Sequence, residues 1–121
     1  KTEQAIRQEI EEKLGRSYAR SSSRSYRSDI EIHHIVARTA SAARPARTIL
    51  ENVGISLNST DNLVPLRTSL HRRLHTRSYY TWVNRCIAKA YRLPGNKKSN
   101  VKRTLYRVRS YLVSLSSVVP W

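Results

Sequence analysis

This chain has four histidines, and they fall in two tight groups, the dyad His33-His34 and the pair His71 and His75, with Asn62 between the groups. Histidine serves both as a neutral metal ligand and as a proton acceptor near neutral pH. A fold that puts these rings to common use must carry the second group back onto the first across a long intervening stretch. At 121 residues there is room for one modest core and not for two, so such a site has to be assembled on a single unit. The first residue is Lys1 and methionine is absent, which is the expectation for a piece of a longer or processed polypeptide.

Charge limits the partners. Lys and Arg number 23 against 8 Asp and Glu, a formal net charge of +15, and 17 of the 23 cations are arginine. After Asp61 there is no acidic residue, while 13 Lys or Arg lie between positions 67 and 109. A field of that sign concentrates phosphate backbone at the C-terminal half, and arginine favours forked, bidentate phosphate contact. A polyanion is therefore the expected partner, with a highly basic structural protein as the bland alternative. No apolar stretch approaches the roughly 20 residues of a membrane span and the polar N-terminus does not read as a signal peptide, so a soluble chain with no membrane span is expected. The single Cys86 cannot form an internal disulfide and is expected to be a buried small apolar residue.

Periodicity organises the rest. Ile6, Ile10 and Leu14 recur at a spacing of four and predict an amphipathic helix over residues 2–14, stopped by Gly15 and carrying half of the acids. The Ser- and Arg-rich stretch 16–28 buries little and reads as a loop or basic linker. Residues 29–36 alternate and are rich in β-branched side chains, which predicts a strand that delivers the dyad at its end with His33 and His34 on opposite faces. A helix is expected over 45–53 with Gly54 as its stop, then a run of turn formers from Asn58, which leaves Asn62 on a loop or an element edge. Residues 63–66 make a short edge strand, since Pro65 lacks a donor. Thr68 or Ser69 is the expected cap of a helix containing His71 and His75, whose spacing of four puts both rings on one face. Tyr80, Val83, Ile87 and Tyr91 form a further helical stripe, ended by the turn at 93–96. Val101, Leu105, Val108, Leu112 and Leu115 mark a final helix capped by Ser99.

A divalent metal needs ligands converging from a rigid frame. His71 and His75, one helical turn apart, supply two nitrogens, and His33 on a neighbouring strand supplies a third. His34 is then free to take a proton from water if another polar group fixes its ring, and Asn62 is the candidate orienter or loop stabiliser. A purely structural zinc site at His71 and His75 is disfavoured, because such sites in small domains usually include cysteines. Asn62 also has a plain reading as a turn former after Asp61.

The text between the groups adds a second kind of information. Ile32-His33-His34-Ile35-Val36, then Ala46-Arg47-Thr48-Ile49-Leu50, Gly54-Ile55, Asp61-Asn62-Leu63-Val64-Pro65-Leu66 and Leu70-His71-Arg72-Arg73-Leu74-His75-Thr76, with Tyr79-Tyr80 and Val83, resembles the AHH nucleases. These belong to the HNH, or His-Me finger, superfamily and typically form C-terminal toxin domains of large bacterial polymorphic toxins. The resemblance covers roughly residues 29 to 90, and blocks matching in order are more specific than the dyad alone. Ile32 stands where the family's name has alanine, a position that contributes no chemistry.

The resemblance implies an α+β, mostly helical fold: a ββα-metal core with additional N- and C-terminal helices, residues 1–28 preceding a nuclease domain over 29–121. It implies His33 as the strand metal ligand, His34 as general base, His71 and His75 as helix ligands and Asn62 as the holder of the loop that positions the base. Three imidazoles suit zinc or nickel, whereas fewer histidines completed by oxygens suit magnesium or manganese. The expected activity is a metal-dependent, largely nonspecific DNA endonuclease, delivered into a competitor cell and acting in its cytoplasm, with an acidic cognate immunity protein protecting the producer. An RNase on the same scaffold and a non-catalytic basic nucleic-acid-binding module are the alternatives. Arg72 and Arg73, between the two helix ligands, either clamp phosphates or are solvated charges, with Arg38, Arg44 and Arg77 as weaker candidates. Lys102, Arg103, Arg107 and Arg109, opposite the apolar stripe of the last helix, form the expected face for DNA backbone. Tyr79, Tyr80 and Trp82 are expected in the core or at an interface.

Overall fold

Two short antiparallel strands carry the dyad. β1 (Ile30–His34) pairs with β2 (Leu63–Arg67) in a register that sets His33 opposite Val64 and His34 opposite Leu63. The computed structural model describes residues 30–118, so the helix expected over 2–14 and the linker over 16–28 lie outside the described residues. The remaining elements are helical: α1 (Arg44–Val53) after a short 3-10 turn (Ser41–Ala43), a second 3-10 turn (Thr60–Asn62) leading into β2, then α2 (Thr68–Arg73), α3 (Arg77–Arg92) and α4 (Lys97–Val118). The architecture is α+β and mostly helical, as the sequence implies.

Local chemistry explains the boundaries. Pro45 occupies the first turn of α1, where its missing N–H costs nothing, and Gly54 ends the helix at φ 77. The Gly54 N–H donates to the Glu51 carbonyl and the Ile55 N–H to the Leu50 carbonyl, a Schellman ending closed over by buried Ile55. The N-terminus of α1 has only Ala43 as its cap. Asn84 of α3 supplies what is missing, accepting from the Ala46 N–H at 3.1 Å and donating to the Ala42 carbonyl at 2.7 Å. Thr76 caps α3 by accepting from the Tyr79 N–H.

Three boundaries differ from expectation. Thr68 is the first helical residue of α2 rather than its cap, with Arg67 in the extended cap position. That helix ends at Arg73, so His75 lies in the connection to α3 rather than on the helix. The last helix starts two residues before Ser99, and the Asn96 side chain accepts from the Ser99 N–H as its cap. At the start of the last helix Asn96 takes the backbone donor, a choice between neighbouring polar residues that side-chain type alone does not decide.

One core joins the elements. β1 contributes Ile30, with Ile35 and Val36 just beyond it, β2 contributes Val64 and Leu66, and the helices add Leu50, Leu70, Val83, Ile87, Val101, Leu105 and Leu112. The expected stripe of α4 is buried as far as Leu112, with Leu115 half-buried. The four-residue connection after α3 folds α4 back against it, and α4 also covers β2, all of whose residues are buried. Arg109 does not belong to the exposed basic face. It is buried, and its guanidinium donates to the Thr60 carbonyl. Cys86 is half-buried rather than in the core.

Asn62 ties the strand ends together. It is fully buried; its side-chain oxygen accepts from the Val36 N–H at 2.8 Å, and its amide donates to the Val36 carbonyl at 3.1 Å and the Leu57 carbonyl at 2.9 Å. Its own carbonyl accepts from the Ile35 N–H. Buried main-chain groups left unpaired cost about 1–3 kcal/mol each. Asn62→Ala orphans three of them at once, so chemical denaturation of this variant is expected to show a stability loss of at least about 2 kcal/mol; an unchanged midpoint would deny the residue this role.

Candidate active site

Strand alternation divides the dyad. His33, 1 % exposed, turns with Glu31 toward α2, while His34 is half-exposed on the other face. There the His34 Nε2–H donates to the Asn58 side-chain oxygen at 2.9 Å, so Nδ1 is the ring nitrogen that Asn58 does not engage. Asn62 does not touch this ring. Its bonds hold the backbone just beyond the dyad, so the orienting group is Asn58 and the loop-holding group is Asn62.

The other three rings converge. One nitrogen from each of His33, His71 and His75 lies within 4.8 Å of the others. The ring centroids are 5.0 Å apart for His33 and His71, 6.0 Å for His33 and His75, and 4.7 Å for His71 and His75. Leaving the helix at Arg73 does not separate His75 from His71, since their Nε2 atoms face each other at 3.0 Å.

Each ring has its other nitrogen engaged by an oxygen. The His71 Nδ1–H donates to Glu31 at 3.0 Å, and His75 Nδ1 meets the Tyr80 hydroxyl at 3.0 Å. For His33 the bonds fix the tautomer. The Tyr79 hydroxyl donates its proton to the Ile35 carbonyl at 3.0 Å, so at 2.8 Å it must accept from the His33 Nε2–H. The remaining nitrogen, His33 Nδ1, is buried and has no hydrogen-bond partner among the described residues. Burial, with the neighbouring His71, His75 and His34, lowers the His33 pKa to about 3, so the ring is neutral and that nitrogen bears a free lone pair. Burial and then His71 also lower the pKa of His75.

This donor set fits a cation. Metal–nitrogen bonds of about 2 Å at a tetrahedral angle separate two donors by roughly 3.3 Å. The facing Nε2 atoms at 3.0 Å share one proton between two lone pairs, a place where a cation substitutes for the proton. A ring nitrogen held by a carboxylate or hydroxyl while the other points inward is the usual setting of a metal-binding imidazole.

Sequence reasoning found the four rings and missed their supports. Glu31 stands two residues before His33 and so on its face of the strand, a signal present in the alternation. Tyr79 was expected as core or interface; it is buried, and its hydroxyl is spent on the site. Nothing local marks Tyr80 or Asn58, which arrive through the fold. The basic candidates Arg38, Arg72, Arg73, Arg77, Lys102 and Arg103 are all exposed, and among the described residues none bonds to the histidines. Lys102 lies 3.7 Å from Asp61.

A family model described as a nuclease family of the HNH/ENDO VII superfamily with conserved AHH matches residues 14–112. No match was found among curated proteins or among solved structures. Within the described residues the match takes in both strands, the four histidines and most of α4.

Removing the hydroxyl in Tyr79→Phe leaves the His33 N–H and the Ile35 carbonyl buried without their partner. The expected cost is about 1–3 kcal/mol in denaturant unfolding. Imidazole ¹⁵N spectra should show a single His33 tautomer in the parent protein and a mixture in the variant; a mixture in both would refute the tautomer assignment.

Proposed function

Because this chain belongs to the AHH nuclease family of the HNH/ENDO VII superfamily, we propose that it is a metal-dependent endonuclease that hydrolyses DNA, with His34 as general base. The observation that carries the proposal is the division of labour among the rings: three converge, each steadied by an oxygen, and the fourth, next to His33 in the chain, turns to the opposite face of β1, where Asn58 engages its Nε2. His33, His71 and His75 would hold the divalent ion, and three neutral imidazoles favour zinc or nickel over magnesium. When bound, the ion supplies Lewis-acid stabilisation of charge on the phosphoryl and leaving oxygens.

The side chains of the protein do the rest. His34 Nδ1 accepts a proton from water while Asn58 holds the ring through Nε2. Glu31 orients His71 and raises its basicity as a ligand. Asn62 fixes the backbone just beyond the dyad. The exposed Arg72 and Arg73 on α2 and Arg77 at the start of α3 would take up flanking phosphates, with Arg38 beyond β1 and Lys102 and Arg103 on α4 further out.

Charge and family resemblance support a biological setting. A nuclease of formal charge +15 released into the cytoplasm of a competitor cell would find nucleic acid by electrostatic attraction. The producer would need a cognate inhibitor, and an acidic surface would complement this one. Loss of viability on cytoplasmic expression, absent for His34→Ala, is the corresponding observation.

In a plasmid-nicking assay, cleavage is expected with added divalent metal and none with chelator. His34→Ala is expected to lower the rate by about 100-fold or more while retaining bound metal. His33→Ala and His71→Ala are expected to lose the metal itself, and Glu31→Gln to weaken its binding by about 10- to 100-fold. Normal turnover by His34→Ala would reassign the base, cleavage of RNA alone would reassign the substrate, and full activity in chelator would remove the metal from the mechanism.

A further inference from the structure

A groove between α3 and α4 lies outside the site. It is about 260 Å³ in volume, and its lining includes Trp82, Cys86, Lys89, Arg107 and Tyr111. Trp82 and Tyr111 are 38 % and 52 % exposed, large for aromatic side chains, and they touch each other at 5.7 Å between ring centroids with planes tilted by 59°. Lys89 and Arg107 are exposed, no carboxylate among the described residues lines the groove, and none exists in the sequence after Asp61. The Cys86 thiol, half-buried in this wall, is held uncharged by its burial.

Buried Tyr79 links the groove to the histidines. Tyr79, whose hydroxyl holds His33, has its ring 5.4 Å from the His33 ring and 6.0 Å from the Trp82 ring. An unbroken line of aromatic contacts therefore runs from the buried imidazole out to Tyr111. Apolar ring faces flanked by cations, with no anion among the described residues of the lining, suit a ligand that carries flat π surfaces and negative charge together. A protein helix offers the apolar part without regular charge, and a duplex offers the charge while hiding its base faces. A single strand offers both.

Resting on the nuclease reading above, we propose that this groove binds an unpaired nucleobase of single-stranded DNA, stacked on Trp82 or Tyr111, with the flanking phosphates on Lys89 and Arg107. The groove is a place for strand held open next to the site, and it gives the protein a preference for single-stranded or frayed DNA over intact duplex.

The test uses the full chain carrying His34→Ala, in chelator, so that binding is read without cleavage. Trp121→Phe leaves Trp82 as the only tryptophan, and the single cysteine provides a second readout at Cys86. An oligothymidylate is expected to quench Trp82 fluorescence and to slow maleimide labelling of Cys86, with a duplex of equal length doing neither at equal occupancy. Tyr111→Ala is expected to weaken oligothymidylate binding by about 5- to 150-fold, the usual range for losing one stacked base, and Tyr111→Phe to restore it. Lys89→Ala, which keeps the rings, is expected to weaken it less. Equal quenching by duplex, undiminished labelling of Cys86 with the strand bound, or equal affinities for Tyr111→Ala and Tyr111→Phe would overturn the assignment. So would protection of Cys86 that tracks protein concentration without DNA, which would give the groove to a second copy of the chain. Failure of plasmid nicking with binding intact would strike the nuclease reading alone.

Discussion

The amide of Asn62 is the fixed point of this structure. A two-stranded sheet is marginal by itself, and here the strand that bears the dyad runs straight into loops whose main chain has to be paired somewhere. Asn62 takes both polar groups of Val36 and the carbonyl of Leu57 on one side chain, away from water. It thus fastens the exit of β1 to the entrance of β2. The register that results places His33 inward over α2 and His34 outward toward Asn58. Shifted by one residue, the two rings would exchange faces and neither would meet its partner.

That register produces a cluster built to hold charge rather than to carry it. Three imidazoles within a few ångströms repel one another if protonated, and burial of His33 adds to the penalty. Burial holds His33 neutral, and the three rings bring one nitrogen each to a common region, with Glu31, Tyr79 and Tyr80 occupying the opposite nitrogens. The Tyr79 hydroxyl is the most constrained of the three, since it accepts on one side and donates on the other. Both phenols come from the first turn of α3, so a single helix end steadies two of the three rings.

Features with a period were legible in the sequence. The alternation around the dyad and the glycine ending α1 correspond to elements found within a residue or two of their expected places, and the stripe of α4 to a helix that begins three residues early, because each is a local consequence of burial on one face. The helix boundaries at Thr68, Arg73 and Asn96 were less legible; at the last of them Asn96, not Ser99, takes the backbone donor. Least legible were contacts made across the fold. Asn58 meets His34 from 24 residues away and Tyr79 meets His33 from 46, and no local pattern encodes such pairs. Arg109 shows the converse: its place in a basic run suggested solvent, yet it fills a buried position over Thr60 because α4 turns that side toward the 3-10 turn before β2.

The contact between Lys102 and Asp61 has a wider meaning for this molecule. Asp61 is the last acid in the sequence, so the rest of α4 has no carboxylate of its own half to lean on, and its cations repel each other in the folded state. Dissolved ions relieve that internal strain by screening it, yet the same ions displace the protein from a polyanion by restoring the counterions that binding released. Ionic strength thus acts on folding and on association in opposite senses, and the conditions under which the molecule is sturdiest are not those under which it holds nucleic acid most tightly.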